Sequence, residues 1–361
     1  MRGAAARLVL AAAAAAGLAQ DMGGTVRGDA PAGATLLDER GRQPKVAIGA
    51  DGTVAVVYGL GSDIYCRVSR DRGATYGEPV RVATVAGLHL GMGRGPQVAV
   101  VADGLVVAAI GKAGDVLAWR SSDSGRTWNG PAQVNGAPRS AEEGLLSLAA
   151  GGDAVHAVWL DLRRKKSEVY VAKSQDKGAT WTERSLDPAR EGPVCECCLP
   201  TVAADAEGGV AVMFRNQRDG ARDMYAAVSR DGGGAFAEAT KLGSGTWPLD
   251  GCPMDGGGVA IRGPRLLSIW RREKLLYASS GPGIEIRLGE GKNPVIALAA
   301  TGAIEAWEDA GAIRLHRTST AGAEVVGPGS APSLGAAPGG ALVLLAWERP
   351  AGGVLAAAVQ P

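Results

Sequence analysis

Four of the five cysteines lie in two short segments of the sequence, and these segments offer sulfur chemistry. Cys195, Cys197 and Cys198 form a C-x-C-C cluster, and Cys252 stands in the later segment GCPMD. Closely spaced thiolates suit a soft metal such as copper(I) or zinc, and Met254 would add a thioether ligand. Two of the thiols can equally join as a disulfide, and four cysteines allow three pairings. The sequence therefore predicts either a disulfide or a soft-metal site.

Arginine stands just before a proline-opened run at Arg42 (GRQP) and Arg94 (GRGP), and at the end of an apolar run at Arg215 (FRN) and Arg271 (WRR). A guanidinium group binds a carboxylate through two parallel hydrogen bonds, so these residues are candidates for binding an anionic ligand. Trp247, in the connector GTWPLDG, can stack on a ligand ring. The alternative is that the arginines pair with nearby carboxylates as structural salt bridges.

A repeated motif, S-x-D-x-G-x-T-W, indicates how these segments are positioned. It is complete at residues 121–128 and 174–181, and nearly complete at 69–76 and 229–236. The Asp carboxylate can accept backbone N–H groups and the Gly can adopt positive φ, so each copy predicts a hairpin turn. Self-similarity at a fixed spacing predicts a repeat architecture.

Each repeat contains about four short β-rich runs separated by glycine and polar turns, which is typical of propeller blades. Seven blade openings can be counted, at Pro44, Pro96, Leu145, Pro200, Pro253, Pro294 and Pro332. The last repeat has only about three strands, and the strand-like ATLLDE from Ala34 can supply the fourth. We therefore predict an all-β propeller of seven blades, with six as the alternative, closed by an N-terminal strand.

The motif resembles the Asp box, or BNR repeat, of the sialidase superfamily. The resemblance implies a propeller, usually of six blades, and the hydrolysis of a terminal acidic sugar. Sialidases bind the substrate carboxylate with three arginines; Arg42 and Arg215 are similar in position to two of these, and Arg271 or Arg272 to the third. Glu196 is similar in place to the glutamate that assists the family's tyrosine nucleophile, and Asp63 is the nearest candidate for the acid.

The sequence departs from the family in its tyrosines. No tyrosine follows Tyr277, whereas the family's nucleophile is expected in a late blade. The covalent mechanism then lacks its nucleophile. Two other functions stay open, a propeller that binds a glycan or a protein without catalysis, and a copper, zinc or redox site at the cysteines.

The N-terminal segment and the charge balance indicate the compartment and the partners. Arg2 and Arg7 precede an apolar run that ends in small residues, so residues 1–20 are predicted to be a signal peptide and residues 21–361 one propeller domain. The formal net charge is +1, and no basic run indicates nucleic-acid binding. We expect a secreted or periplasmic monomer, without a membrane span, that binds an extracytoplasmic ligand.

Overall fold

Antiparallel β-strands form almost all of the regular structure in the described part of the chain. The computed structural model describes residue 31 and residues 33–186, 193–281 and 283–360. The strands form seven four-stranded sheets, accompanied in these ranges by a single 3-10 turn at Pro338–Gly340. The predicted signal peptide at residues 1–20 lies outside the described residues.

The first three blades follow one another in chain order. Blade 1 contains β2 (Arg42–Ile48), β3 (Val54–Leu60), β4 (Asp63–Ser69) and β5 (Val80–Thr84). Blade 2 contains β6 (Gln97–Val101), β7 (Gly104–Ile110), β8 (Val116–Ser121) and β9 (Asn129–Gln133). Blade 3 contains β10 (Leu146–Gly151), β11 (Ala154–Asp161), β12 (Glu168–Ser174) and β13 (Thr182–Ser185).

The next three blades repeat this order. Blade 4 contains β14 (Thr201–Ala204), β15 (Val210–Arg215), β16 (Met224–Ser229) and β17 (Thr240–Lys241). Blade 5 contains β18 (Gly257–Arg262), β19 (Arg265–Arg272), β20 (Leu275–Ser279) and β21 (Ile286–Glu290). Blade 6 contains β22 (Lys292–Leu298), β23 (Ala303–Asp309), β24 (Ala312–Arg317) and β25 (Ala323–Pro328).

Blade 7 joins the two ends of the described chain. It contains β26 (Ser330–Ala336), β27 (Val343–Glu348) and β28 (Val354–Val359), and its fourth strand is β1 (Ala34–Asp38). The first strands of successive blades contact one another around the ring, and β26 contacts β2. The prediction of seven blades closed by an N-terminal strand is therefore confirmed.

The hydrophobic core lies between the blades. Side chains alternate between the two faces of a strand, so the second strand of each blade packs against both of its neighbours. In β3, Val54 and Val56 pack against blade 7, whereas Ala55 and Val57 pack against blade 2. All four are fully buried. This double burial explains why the second strands are almost continuously apolar in sequence.

The Asp boxes form the turns between the third and fourth strands. In the box at residues 121–128, Ser121 Oγ accepts the Gly125 N–H at 2.8 Å, and Asp123 Oδ1 accepts the Thr127 N–H at 2.9 Å. Gly125 has a φ of 80°, where a side chain is strained. The first and third strands of a blade run in the same direction, and the boxes follow the third strands. The boxes therefore lie on the face opposite the one on which the first strands begin.

We expect the variant Asp176→Ala to lower Tm by about 2 °C or more, because the turn loses a hydrogen bond from Thr180 N at 2.8 Å. Burial opposes ionisation of Asp176, but hydrogen bonds from Thr180 and Ser174 outweigh it and lower the pKa to about 2. The ionised group therefore stabilises the fold above its unfolded pKa of roughly 4, and this contribution is lost as pH falls through about 2.

Thermal unfolding between pH 2 and 7 measures this difference. Glu78→Ala is the control, because Glu78 is exposed beside another box. Equal Tm values for Asp176→Ala and Glu78→Ala at pH 7 would contradict the assigned role of the box.

Candidate functional site

A cavity of about 510 Å³ lies where the first strands of the blades begin, around the axis of the ring. Its wall comes mostly from the residues that precede or open these strands, with Glu308 and Glu348 added from the ends of second strands. The charged residues that line it are Arg42, Lys45, Asp255, Lys292, Glu308 and Glu348. Polar residues of the wall include Gln97, Ser147, Thr201 and Ser333. The blade openings therefore converge around the axis, and the set of lining residues differs from the predicted site residues.

Two glutamates of the cavity wall connect neighbouring blades, blade 6 to blade 7 and blade 7 to blade 1. Glu308, at the end of β23, accepts the backbone N–H of Ala331 at 2.7 Å. Glu348, at the end of β27, accepts the N–H of Gln43 at 3.1 Å. Ala331 and Gln43 both have φ near 50° and both precede a proline. The glutamates thus hold these strained residues in place, and we call Glu308 and Glu348 the latch glutamates.

Sequence reasoning missed the latch glutamates, although a local signal exists for them. The tripeptide AWE occurs in β23 and in β27, and G-x-x-P opens the following strand in each case, from Gly329 and Gly41. A Cβ on Gly329 would lie 2.5 Å from Cδ1 of Trp347, so glycine is required for the chain to pass this ring. The paired occurrence of AWE and G-x-x-P marks the latch.

Asp255 plays the same part between blades 5 and 6, but it is deeply buried. Its Oδ2 accepts the N–H of Asn293 at 3.2 Å and lies 2.8 Å from Nε of Arg271. Burial raises the pKa of Asp255, and the positive charges of Arg271 and Arg215 oppose this effect. The Asp255 Oδ1 atom is buried without a hydrogen-bond partner among the described residues.

Arg215 is enclosed by protein and bonded to backbone. Only 1% of the residue is exposed, and it donates to the carbonyl oxygens of Arg222 at 2.6 Å and Arg271 at 3.0 Å. The ring centroid of Trp247 lies 5.2 Å from the Arg215 guanidinium and 5.7 Å from that of Arg271. Trp247 is itself buried, so it packs against arginines rather than against the cavity.

The other two predicted arginines are paired with carboxylates. Arg42 lines the cavity, and its Nε lies 2.5 Å from Oε1 of Glu348. Arg94 pairs with Glu143 at 3.4 Å and does not line the cavity. Of the four predicted arginines, the structure therefore brings only Arg42 to the wall. Their assignment to substrate binding stays a prediction.

The two carboxylates predicted to be catalytic lie away from the cavity wall. Glu196 is exposed between two buried cysteines. Asp63 begins β4 and accepts a hydrogen bond from the Thr84 hydroxyl, on the outer strand β5. Neither residue lines the cavity. Their catalytic roles stay predictions.

The predicted cysteines come together beside the cavity, between the openings of blades 4 and 5. Cys197 and Cys252 form a disulfide across 55 residues of sequence. The Cys195 Sγ atom lies 3.6 Å from that of Cys197 and 3.4 Å from that of Cys198. The prediction of a disulfide is confirmed for this pair. Binding of copper or zinc stays a prediction; Met254 lines the cavity and is 38% exposed.

Comparison with known proteins agrees with the fold. A BNR repeat-like domain matches residues 111–246. The seven-bladed propeller has the fold of sialidases, and the BNR match covers residues 111–246 of the chain. It is similar to the sialidase NanB from Streptococcus pneumoniae, with a TM-score of 0.52 and 9% identity over 91% of this chain and 70% of that one.

Two further structures are similar to this propeller. A Hadza microbial sialidase has a TM-score of 0.51 and 14% identity over 89% of this chain, which spans 66% of the length of that sialidase. An α-L-arabinofuranosidase of Fusarium graminearum has a TM-score of 0.50 and 14% identity over 89% of this chain and 93% of that one. No curated protein matches the sequence. Within the described ranges, no helix has the length and apolar character needed to cross a bilayer.

We expect Glu308→Ala to lower the free energy of unfolding by about 1 kcal/mol or more, because the half-buried Ala331 N–H loses its acceptor. The variant also removes the hydrogen bond from Asn293 Nδ2 at 2.8 Å and the ion pair with Lys292 at 3.4 Å. Chemical denaturation measures the effect.

Two further variants make this test specific. Glu308→Gln keeps an oxygen acceptor and should recover part of the loss. Glu290→Ala is the matched control, since Glu290 is exposed on the outer strand β21. If Glu308→Ala costs no more stability than Glu290→Ala, the latch has no structural importance.

Proposed function

We propose that this propeller is a binding protein that holds an acidic saccharide in its axial cavity. The observation that carries the proposal is the pairing of charges in the cavity wall. Arg42 pairs with Glu348, Lys292 with Glu308, and Asp255 with Arg271. Lys45 alone among the charged lining residues has no carboxylate within salt-bridge distance in the described part of the chain.

An unpaired lysine in an enclosed wall favours an anionic ligand. Burial lowers the pKa of Lys45 to about 8, so the ammonium form still predominates at pH 7. Leaving that charge without a partner costs free energy, and a bound carboxylate would recover it. The side chain hydroxyl of Thr201, which also lines the cavity, is buried without a hydrogen-bond partner among the described residues. Both groups are suited to a ligand that carries negative charge and polar oxygens.

The saccharide class is supported by size and by the similar structures. About 510 Å³ lies within the range of small-molecule sites. Two similar structures are sialidases, and the arabinofuranosidase was solved with arabinobiose. These likenesses concern the fold, so the saccharide is part of the proposal.

Binding without covalent catalysis is favoured by the residues of the wall. The described residues that line the cavity include no tyrosine. The latch glutamates are engaged by backbone N–H groups and by cations, which stabilises them as structural carboxylates. A tyrosine–glutamate nucleophile pair of the sialidase type therefore has no support in this wall. We further propose that the protein is exported, because it contains a disulfide and a signal-like N-terminal sequence.

We expect Lys45→Met to weaken binding of an acidic saccharide at least tenfold at pH 7, with no effect on neutral sugars. Isothermal titration calorimetry with N-acetylneuraminic acid, glucuronic acid and arabinobiose measures this. Because the ammonium loses its proton as pH rises through about 8, affinity of the wild type for the acidic probes should fall between pH 7 and 9.

The control is Lys166→Met, since Lys166 is exposed in the turn after β11 and does not line the cavity. It should bind as the wild type does. Equal affinity for acidic and neutral sugars, or an affinity unchanged in Lys45→Met, would overturn the proposal. Release of sugar from an aryl sialoside would instead show that the propeller is a hydrolase.

A further inference from the structure

The four sulfur atoms beside the cavity are arranged for chemistry that saccharide binding does not use. Cys195 and Cys198 are the free members of the set, and they have C-x-x-C spacing. Both are buried, with 0% and 1% of the residue exposed. Cys197 is 8% exposed, whereas Cys252 is an exposed residue. The four sulfurs therefore lead from a buried dithiol to a disulfide that meets the surface.

The contacts place the buried dithiol against this disulfide. Cys195 Sγ is 3.6 Å from Cys197 Sγ, which is van der Waals contact for two sulfur atoms and close to the distance from which a nucleophile attacks. On its other side it is 3.4 Å from Cys198 Sγ. Cys195 Sγ is therefore in contact with both of its possible partners. Its backbone N–H donates to Arg215 O at 2.9 Å, which fixes the segment to the end of β15.

The electrostatics favour a thiolate at Cys195. The hydrogen bond with Cys198, the N–H of Cys197 and the charges of Arg222 and Arg215 lower the pKa of Cys195, against the effect of burial. Cys198 is the opposite case, because the same hydrogen bond and its burial raise its pKa. The Nε and Nη1 atoms of Arg222 are buried without a hydrogen-bond partner among the described residues. A thiolate at Cys195 supplies a negative countercharge for the Arg215 and Arg222 guanidinium groups.

We infer that Cys195, Cys197, Cys198 and Cys252 form a thiol–disulfide exchange centre, in which the buried dithiol reduces an external disulfide through the exposed Cys252. The Cys195 thiolate attacks Cys197 Sγ, forms the Cys195–Cys197 bond and releases Cys252 as a thiolate. Cys198 then loses its proton to water and attacks Cys195 Sγ, which forms the Cys195–Cys198 bond and releases the Cys197 thiolate.

The external substrate reacts at the surface. The Cys252 thiolate attacks a disulfide RSSR, forming a mixed disulfide and one RS⁻. Cys197 attacks Cys252 in this mixed disulfide, which restores the Cys197–Cys252 bond and releases the second RS⁻. Two electrons pass from the Cys195–Cys198 dithiol to RSSR, and the two thiolates released take up two protons from water. The substrate class is therefore a small or protein disulfide that can approach the cavity rim.

The centre can be tested with the disulfide reagent 5,5′-dithiobis(2-nitrobenzoic acid) on the folded wild-type protein. We expect release of about two thionitrobenzoate ions per chain, because oxidation of one dithiol reduces one molecule of the reagent to two thiolates. Peptide mapping after acid quench and alkylation should then find the Cys195–Cys198 and Cys197–Cys252 disulfides together. The fifth cysteine, Cys66, is buried between blades 1 and 2 with its pKa raised to about 12 by burial, and it should remain reduced.

Matched variants separate exchange from direct reaction. The double variant Cys197→Ala/Cys252→Ala keeps the buried dithiol and removes the exchanging disulfide, so it should release almost no thionitrobenzoate, whereas direct reaction would still release about two ions per chain. Cys195→Ser should also release almost none while its Tm shows that it is folded, and Cys66→Ala should behave as the wild type. An early acid quench of the wild type that finds the first adduct on Cys252 rather than on Cys195 decides the question even if the variants do not fold. No release from the folded wild type, equal release from a folded Cys195→Ser, or four reduced thiols holding stoichiometric zinc or copper would overturn the inference.

Discussion

The structure depends on the antiparallel pairing of β1 with β28. Blade 7 obtains only three strands from the end of the chain, so its outer strand must come from the other end. The register from Ala34 opposite Ala357 to Leu36 opposite Leu355 joins the two ends of the described chain. Without this pairing β28 would present unpaired backbone groups to solvent, and blade 7 would lack its outer strand. Closure of the ring in turn creates the axial cavity.

Hydrogen bonds in the cavity wall hold neighbouring blades together near the axis of the ring. In blades 1, 6 and 7 the first strand opens with a residue in a strained positive-φ conformation, Gln43, Asn293 or Ala331, and a carboxylate accepts the N–H of each. Glu308, Glu348 and Asp255 supply this acceptor across three successive blade boundaries. The same carboxylates neutralise the cations around them, and Lys45 is left as the one lining charge without such a partner in the described chain. An anionic ligand is therefore proposed because the carboxylates of the wall are already paired with other cations and leave Lys45 without one.

Saccharide binding and sulfur chemistry would share one region of the propeller. Leu199 follows the cysteine cluster and Met254 follows Cys252, and both line the cavity. The Cys197–Cys252 bond joins the two segments that carry them. Arg215 lies beneath both features, with its carbonyl bonded to the Cys195 N–H and its side chain bonded to carbonyls of blades 4 and 5. Its burial explains why an arginine that resembles a substrate-binding residue in sequence lies in the scaffold here.

The sequence by itself determined the blade count, the closing strand and the turns, because these depend on local periodicity and on short-range hydrogen bonds such as those of Asp123. It also placed the blade openings on one face, since strand direction follows from the repeat. Only the tertiary structure decided which side chains of these openings meet. These contacts join segments that are far apart in sequence. They pair Cys197 with Cys252, bury Arg215 against backbone carbonyls and leave Lys45 without a carboxylate partner in the described chain. A repeat motif fixes where a segment lies around the ring, but the partners of its side chains are set by how neighbouring blades pack and which charges are already neutralised.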